Sequence, residues 1–141
     1  MKYLLLAALL SLAGCSKSID DKLAGEWTAT DDTGDHGSMI FEKDHHVTLT
    51  MGNTVVGGAS FEANGKKGEC KYEVDESKTP MWLDLLVYVD GSKTEPTRLK
   101  GIARFVTDTK LQYRLSLVGD RDTTFDAADA KNTLLLEKRG E

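Results

Sequence analysis

The stretch Leu83-Asp84-Leu85-Leu86-Val87-Tyr88-Val89-Asp90 decides the fold. Leu83, Leu85, Val87 and Val89 recur at every second position, with Asp84, Leu86, Tyr88 and Asp90 between them. Successive side chains of a β-strand point to opposite faces, so this spacing predicts a strand with one face turned to a core. The same spacing continues outward in both directions. Upstream, Cys70, Tyr72 and Val74 alternate with Lys71, Glu73 and Asp75, and Ala59, Phe61 and Ala63 alternate with Ser60 and Glu62. Val47, Leu49 and Met51 share a face, as do Met39 with Phe41 and Trp27 with Ala29. Downstream, Ala103 and Phe105 flank Arg104; Leu111, Tyr113, Leu115 and Leu117 alternate with Gln112, Arg114 and Ser116; and Leu134-Leu135-Leu136 forms a last strand.

The joints carry turn chemistry. Asp32-Thr33-Gly34-Asp35, Asn64-Gly65-Lys66-Lys67-Gly68 and Asp90-Gly91-Ser92 are clusters of residues that accept turn conformations. Lys43-Asp44-His45 and Thr107-Asp108-Thr109 are short enough for hairpins. Gly57-Gly58 marks a bulge or bend that lets a strand curl. Short strands joined in sequence by tight turns make an antiparallel meander with one dry and one wet face. A long meander curls, and closure removes its edges. The prediction is an all-β domain: a small antiparallel up-and-down β-barrel of about eight strands, with a two-sheet β-sandwich as the alternative. Within Asp122 to Asn132, a loop, Ala127-Ala128-Asp129-Ala130 suggests a short helix.

The chain has 141 residues and a formal net charge of -5, which suits one domain. Its first fourteen residues carry Lys2 as their single charge, so the remainder has a net charge of -6. An acidic balance argues against binding a phosphate backbone, and no nucleic-acid partner is expected. Leu4 to Ala13 is an apolar run broken only by Ser11. It is far short of the roughly 20 residues that span a bilayer, and with Lys2 before it has the form of an export signal.

The end of that run, Leu12-Ala13-Gly14-Cys15, resembles the lipobox of bacterial lipoproteins. The resemblance implies a signal peptide over 1–14, acylation of the Cys15 thiol and of the new amino group, and anchoring in a membrane of the cell envelope. Residues 15–22 then form the lipidated cysteine and a polar tether, and 23–139 the barrel. Ser18 is placed to cap a helical turn, with Asp21 three residues on. Ser16 after the cysteine resembles the signal for the outer membrane, facing the periplasm. With Cys15 lipidated, only Cys70 remains, and its alternation with charged residues reads as a buried apolar thiol.

Leu23-Ala24-Gly25-Glu26-Trp27 resembles the Gly-x-Trp opening of lipocalins and related calycin barrels. That resemblance implies a tryptophan plugging one barrel end beneath a cation from the last strand, here Lys138 or Arg139. Lys78-Thr79-Pro80, Leu83-Asp84, Lys100-Gly101-Ile102, Leu111, Arg121 to Phe125 and Leu136-Glu137-Lys138-Arg139 follow an order similar to a family of uncharacterised bacterial lipocalin-like domains. The chain departs from that pattern at Leu83 for Ile, Ala103 for Tyr, Thr79 between Lys78 and Pro80, and Asp122 for Pro. The family has no established activity, so the resemblance implies a fold and not a reaction.

Residues that point to chemistry are sparse. His36, His45 and His46 are the only histidines, and adjacent strand residues face opposite ways, so His45 and His46 cannot share a metal without a turn. Asp31, Asp32, Asp35 and His36 read as a solvated acidic loop; no zinc or EF-hand spacing is present, and no metal or cofactor is expected. No serine sits in a nucleophile elbow. Catalysis is not expected. Asp120-Arg121-Asp122 and Arg98-x-Lys100-x-x-x-Arg104 read as ion pairs bracing the barrel rim, or as a cationic lining for an acidic ligand. Asp84 is either an outward strand residue or an inward polar group near Arg104 or Arg114. The barrel interior is the remaining candidate site. Its rings are Trp27, Phe41, Phe61, Tyr72, Phe105 and Tyr113, which either fill the lumen or line a pocket for one small apolar ligand. The functional expectation is a non-enzymatic, lipid-anchored binding module for such a ligand or for an envelope protein; the alternative is a structural or inhibitory lipoprotein without a small ligand.

Overall fold

The alternating segments form strands in a computed structural model that describes residues 14–30, 36–89, 96–126 and 133–140. The elements run α1 (Ile19–Leu23), β1 (Gly25–Thr30), β2 (His36–Phe41), β3 (Val47–Met51), β4 (Thr54–Gly57), β5 (Phe61–Ala63), β6 (Lys66–Asp75), β7 (Met81–Val89), β8 (Thr97–Thr107), β9 (Lys110–Ser116) and β10 (Thr133–Lys138). Met1–Ala13, with the expected export signal, lie outside the described residues. So do Asp31, Asp32 and Asp35, the turn at 90–92 and the expected helical stretch 127–130. Among the described residues no helix is long and apolar enough to cross a membrane.

All ten strands join one antiparallel sheet in the order β4-β3-β2-β1-β10-β9-β8-β7-β6-β5. Every neighbour is consecutive in the chain except β1 and β10, whose pairing of Trp27 with Lys138 and Thr28 with Glu137 joins the first strand to the last. The two sheet ends, β4 and β5, approach without pairing as strands. Across that seam His46 bridges Lys71, the Cys70 N–H donates to the Gly58 carbonyl at 3.0 Å, and the Tyr72 N–H donates to the His45 carbonyl at 2.8 Å. The result is a nearly closed, up-and-down barrel-like sheet rather than a sandwich.

Ten strands replace the expected eight or so because the chain between Met51 and Lys66 is cut into short pieces. Gly57 and Gly58 both have positive φ, 106° and 75°, so they end β4 where a single bent strand was expected. A side chain at Gly57 would collide with the Val47 carbonyl, so only glycine permits this approach. Asn64 and Gly65, at φ 54° and 74°, form the two-residue turn that pairs Ala63 with Lys66.

One end of the barrel is closed. Ser18 caps α1 by accepting the Asp21 N–H at 3.2 Å, as its spacing predicts. The extended part of segment 15–22 is thus confined to the residues before Ile19. Leu23 at the end of α1 is fully buried, and the Trp27 indole N–H donates to the Leu23 carbonyl at 2.7 Å. Lys138 Nζ lies 5.4 Å from the centre of the Trp27 ring and donates to the Lys22 carbonyl at 3.0 Å. Of the two expected cations Lys138 covers the tryptophan, while Arg139 pairs with Glu26 at 3.2 Å.

Candidate functional site

The six rings assigned to the interior are distributed unevenly. Trp27, Phe41, Tyr72 and Tyr113 are buried, and Phe61 and Phe105 are partly buried against the same core. Trp27 and Phe105 have ring centres 6.1 Å apart, and Phe41 meets Tyr72 edge-on at 5.1 Å. The Tyr72 hydroxyl donates to the Glu42 carbonyl and that of Tyr113 to the Leu83 carbonyl, each at 3.1 Å. Burial, with Asp20 and Asp44 nearby, pushes the Tyr72 phenol up to about 12; burial foremost raises Tyr113 well above its ordinary value. Both stay protonated near neutral pH and offer no base. Burial likewise pushes the Cys70 thiol up to about 11, which suits the expected inert, buried cysteine.

These rings pack the closed half of the barrel. At the other end, where β1 and β3 finish and β2 and β10 begin, the lumen opens into a cup of about 460 Å³. Met39 and Leu136 are its buried residues; Ala29, Leu49, Leu115 and Leu134 form its walls, and His36 and Met51 border it. None of the six rings lines it. The cup consists of short aliphatic side chains at the far ends of strands whose near ends carry the aromatics. Along β1 this is Ala29 beyond Trp27, along β2 Met39 and Gly37 beyond Phe41, and along β9 Leu115 beyond Tyr113. The lining is largely aliphatic, with Ser38, Thr50 and His36 as its polar members.

A second feature lies on the outer wall. Asp84 alternates away from the core strand positions yet is only 3% exposed. Arg121, in the connection between β9 and β10, clamps both carboxylate oxygens: its Nη1 meets Oδ1, and its Nη2 lies 2.9 Å from Oδ2. Arg98 adds a bond at 2.9 Å, and the Gly101 N–H donates to Oδ1 at 3.1 Å. Burial alone would raise the Asp84 carboxyl; the two guanidiniums and the amide outweigh it and hold the group below its ordinary value. Asp84 is therefore outward but covered, and its partners are Arg98 and Arg121 rather than Arg104 or Arg114. The bracing ion pairs lie on the wall.

The cover is residues 121–126, without regular structure. Arg114, also outward and only 2% exposed, donates to the carbonyls of Thr124 and Asp126 at 2.9 and 3.0 Å and to the Thr133 hydroxyl at 2.6 Å. Phe125 lies 4.9 Å from the Arg104 guanidinium. Beside this strap a groove of about 590 Å³ is lined by Lys78, Pro80, Trp82, Lys100 and Arg121, among others. The short sequence signals Lys78, Pro80, Asp84, Gly101, Arg121 and Phe125 thus converge on one patch of outer wall, where Arg121 stacks on Trp82 at 4.1 Å. Arg98 and Arg121 both form ion pairs with Asp84 of the same chain, so this part of the patch reads as a clasp. No sequence signal marks the cup, because its volume depends on which strand ends carry small residues.

Comparison with models of known protein families, with curated proteins and with solved structures finds no match.

Proposed function

We propose that this chain is a lipid-anchored lipoprotein of the bacterial cell envelope, with a lipocalin-like barrel that holds one small apolar molecule in its open end. The observation that carries the reading is the aliphatic cup of about 460 Å³ opposite the plugged end. The Gly25-x-Trp27 opening with Lys138 over the indole supports the lipocalin-like assignment. Leu12-Ala13-Gly14-Cys15 supports acylation of Cys15, and Ser16 supports an outer-membrane site facing the periplasm. Cys15 precedes α1, which caps the closed end, so an anchored barrel opens its cup away from the bilayer that holds it.

Native mass spectrometry of the full chain, extracted gently from membranes, tests the ligand. A co-purifying apolar species is expected. Leu49→Trp, which fills the cup from its wall, is expected to abolish that species and leave the fold intact. An empty protein, or a species retained in Leu49→Trp, refutes the cup as a binding site. Cys15→Ser is expected to move the chain from the membrane to the soluble fraction.

A second reading, an interaction lipoprotein with no small ligand, is favoured by Leu117 and Val118, which are 64% and 93% exposed. Crosslinking from residue 118 in membranes separates the readings, since only an interaction protein yields a defined adduct there.

A further inference from the structure

We propose that His46 is a proton-operated latch on the barrel seam: its imidazolium holds the turn before β3 to β6 and loosens that hold when the proton passes to water. The end strands β4 and β5 do not pair with each other. The turn before β3 therefore meets β6 directly, through the His46–Lys71 bridge and the bond from the Tyr72 N–H to the His45 carbonyl, with the Cys70 N–H bonded to Gly58 beside them. Side chains add to these. The Tyr72 hydroxyl reaches the Glu42 carbonyl, and its ring stacks on His45. His46 Nε2 is hydrogen-bonded to Glu69 Oε2 on β6 at 3.1 Å, and this is the contact here that joins opposite charges across the gap.

Three carboxylates surround this one imidazole, whose side chain is 14% exposed. Glu69 approaches from β6; Asp44 Oδ2 lies 2.9 Å from Nδ1, and an oxygen of Glu42 lies within 4.8 Å of both Asp44 and His46. The neighbouring cations are turned elsewhere. Lys71 Nζ lies 6.0 Å from the centre of the Tyr88 ring, Lys43 pairs with Asp21, and His45 faces Asp20 of α1. A neutral imidazole has one N–H and one lone pair. In one tautomer that lone pair faces Asp44, in the other Glu69, and only the imidazolium presents a proton to each. Nδ1 makes no hydrogen bond, so Asp44 acts on it through charge. Asp44 raises the proton affinity of His46, burial opposes it and Glu69 adds to the rise, which leaves the group above its ordinary value.

The folded chain thus holds this proton more tightly than the unfolded chain. The latch is fully engaged below the ordinary histidine value of about 6.5 and weakens as pH rises through the higher folded value. The exposed Asp44 can then turn into water. Glu69 is left with a neutral imidazole's hydrogen bond, about half as strong as the charge-assisted one. The seam then depends on its backbone bonds, and the wall parts there first. The latch is independent of what the cup binds.

The test follows the full chain carrying Cys15→Ser, which removes the exposed thiol, by nuclear magnetic resonance across the histidine titration range. Long-range ¹H–¹⁵N spectra are expected to show both ring nitrogens of His46 protonated at the acid end. Amide exchange, corrected for its intrinsic rate, is expected to lose about fivefold protection at Cys70 and Tyr72 as His46 deprotonates. The β1–β10 ladder should keep its protection. Glu69→Gln preserves shape and can bond either form of the imidazole; it is expected to lower the His46 midpoint and make seam protection independent of pH over this range. His46→Gln is expected to remove the pH dependence likewise; should that variant fail to fold, Glu69→Gln decides alone. Seam protection that ignores the His46 titration, a pH dependence that survives in Glu69→Gln, or a loss shared equally by the β1–β10 ladder overturns the latch.

Discussion

Trp27 joins three parts of the chain at one point. Its ring is wholly buried, its N–H is satisfied by the carbonyl that ends α1, and the last strand lays Lys138 over its face. Trp27→Ala therefore removes core volume, a satisfied donor and a cation–π contact together. We expect a loss of about 3–5 kcal/mol in urea unfolding; a loss below 1 kcal/mol contradicts the plug. Asp84 sets a pH dependence. Its carboxyl is held low in the fold, so the unfolded chain binds its proton first as pH falls. The stabilisation is present above the unfolded carboxylate value of about 4 and is lost as pH falls through the lower folded value. Asp84→Asn should cost about 3 kcal/mol at pH 7, because it leaves the largely buried Arg121 guanidinium without its acid, while Arg98 keeps Glu73. It should also flatten the acid limb of the stability–pH curve; an unchanged limb assigns acid lability to other groups.

At the scale of elements, the strap 121–126 depends on Arg114. That guanidinium makes three hydrogen bonds beneath the strap and packs under Phe125, with its Cζ 5.7 Å from the ring centre. Arg114→Met should cost about 2 kcal/mol. Hydrogen exchange should show protection lost over 121–126 while β7 and β8 keep theirs; uniform loss across the sheet means the strap and wall unfold as one. The strap also explains which elements were legible in the sequence. Strands such as β6, β7 and β9 were readable because their core residues recur at every second position, Cys70 and Tyr72, Leu83 and Leu85, Leu111 and Tyr113. The inner face of β7 was readable for the same reason, but the state of Asp84 was not. Its burial comes from a segment 37 residues away that lacks periodicity of its own. β4 was missed because it is four residues long, too short to establish a period, whereas the alternation of Ala59, Phe61 and Ala63 marked β5.

At the scale of the molecule, the barrel is polarised along its axis. Aromatics and α1 fill one end and aliphatics leave the other open. Composition announced the rings but not their distribution. The choice between a packed lumen and a pocket was therefore unreadable, and the fold contains a packed half and an open half. The polarity separates stability from binding. Substitutions at the cup wall such as Leu49→Trp should leave the melting temperature within a few degrees of the parent, whereas those among the rings should not. A Leu49→Trp chain that melts far below the parent would show that the cup wall belongs to the stabilising core.

The antiparallel pairing of β1 with β10 places the start of one and the end of the other at the same end of the barrel. Tension applied between Gly25 and Lys138 therefore pulls across that ladder rather than along it. The load falls first on the Trp27–Lys138 rung and then on Thr28–Glu137, one at a time, like a zip opened from its tab. The junction of the first strand with the last is thus loaded in its weakest direction, and stretching between these two residues should part it at low force while the β6–β9 wall is still intact.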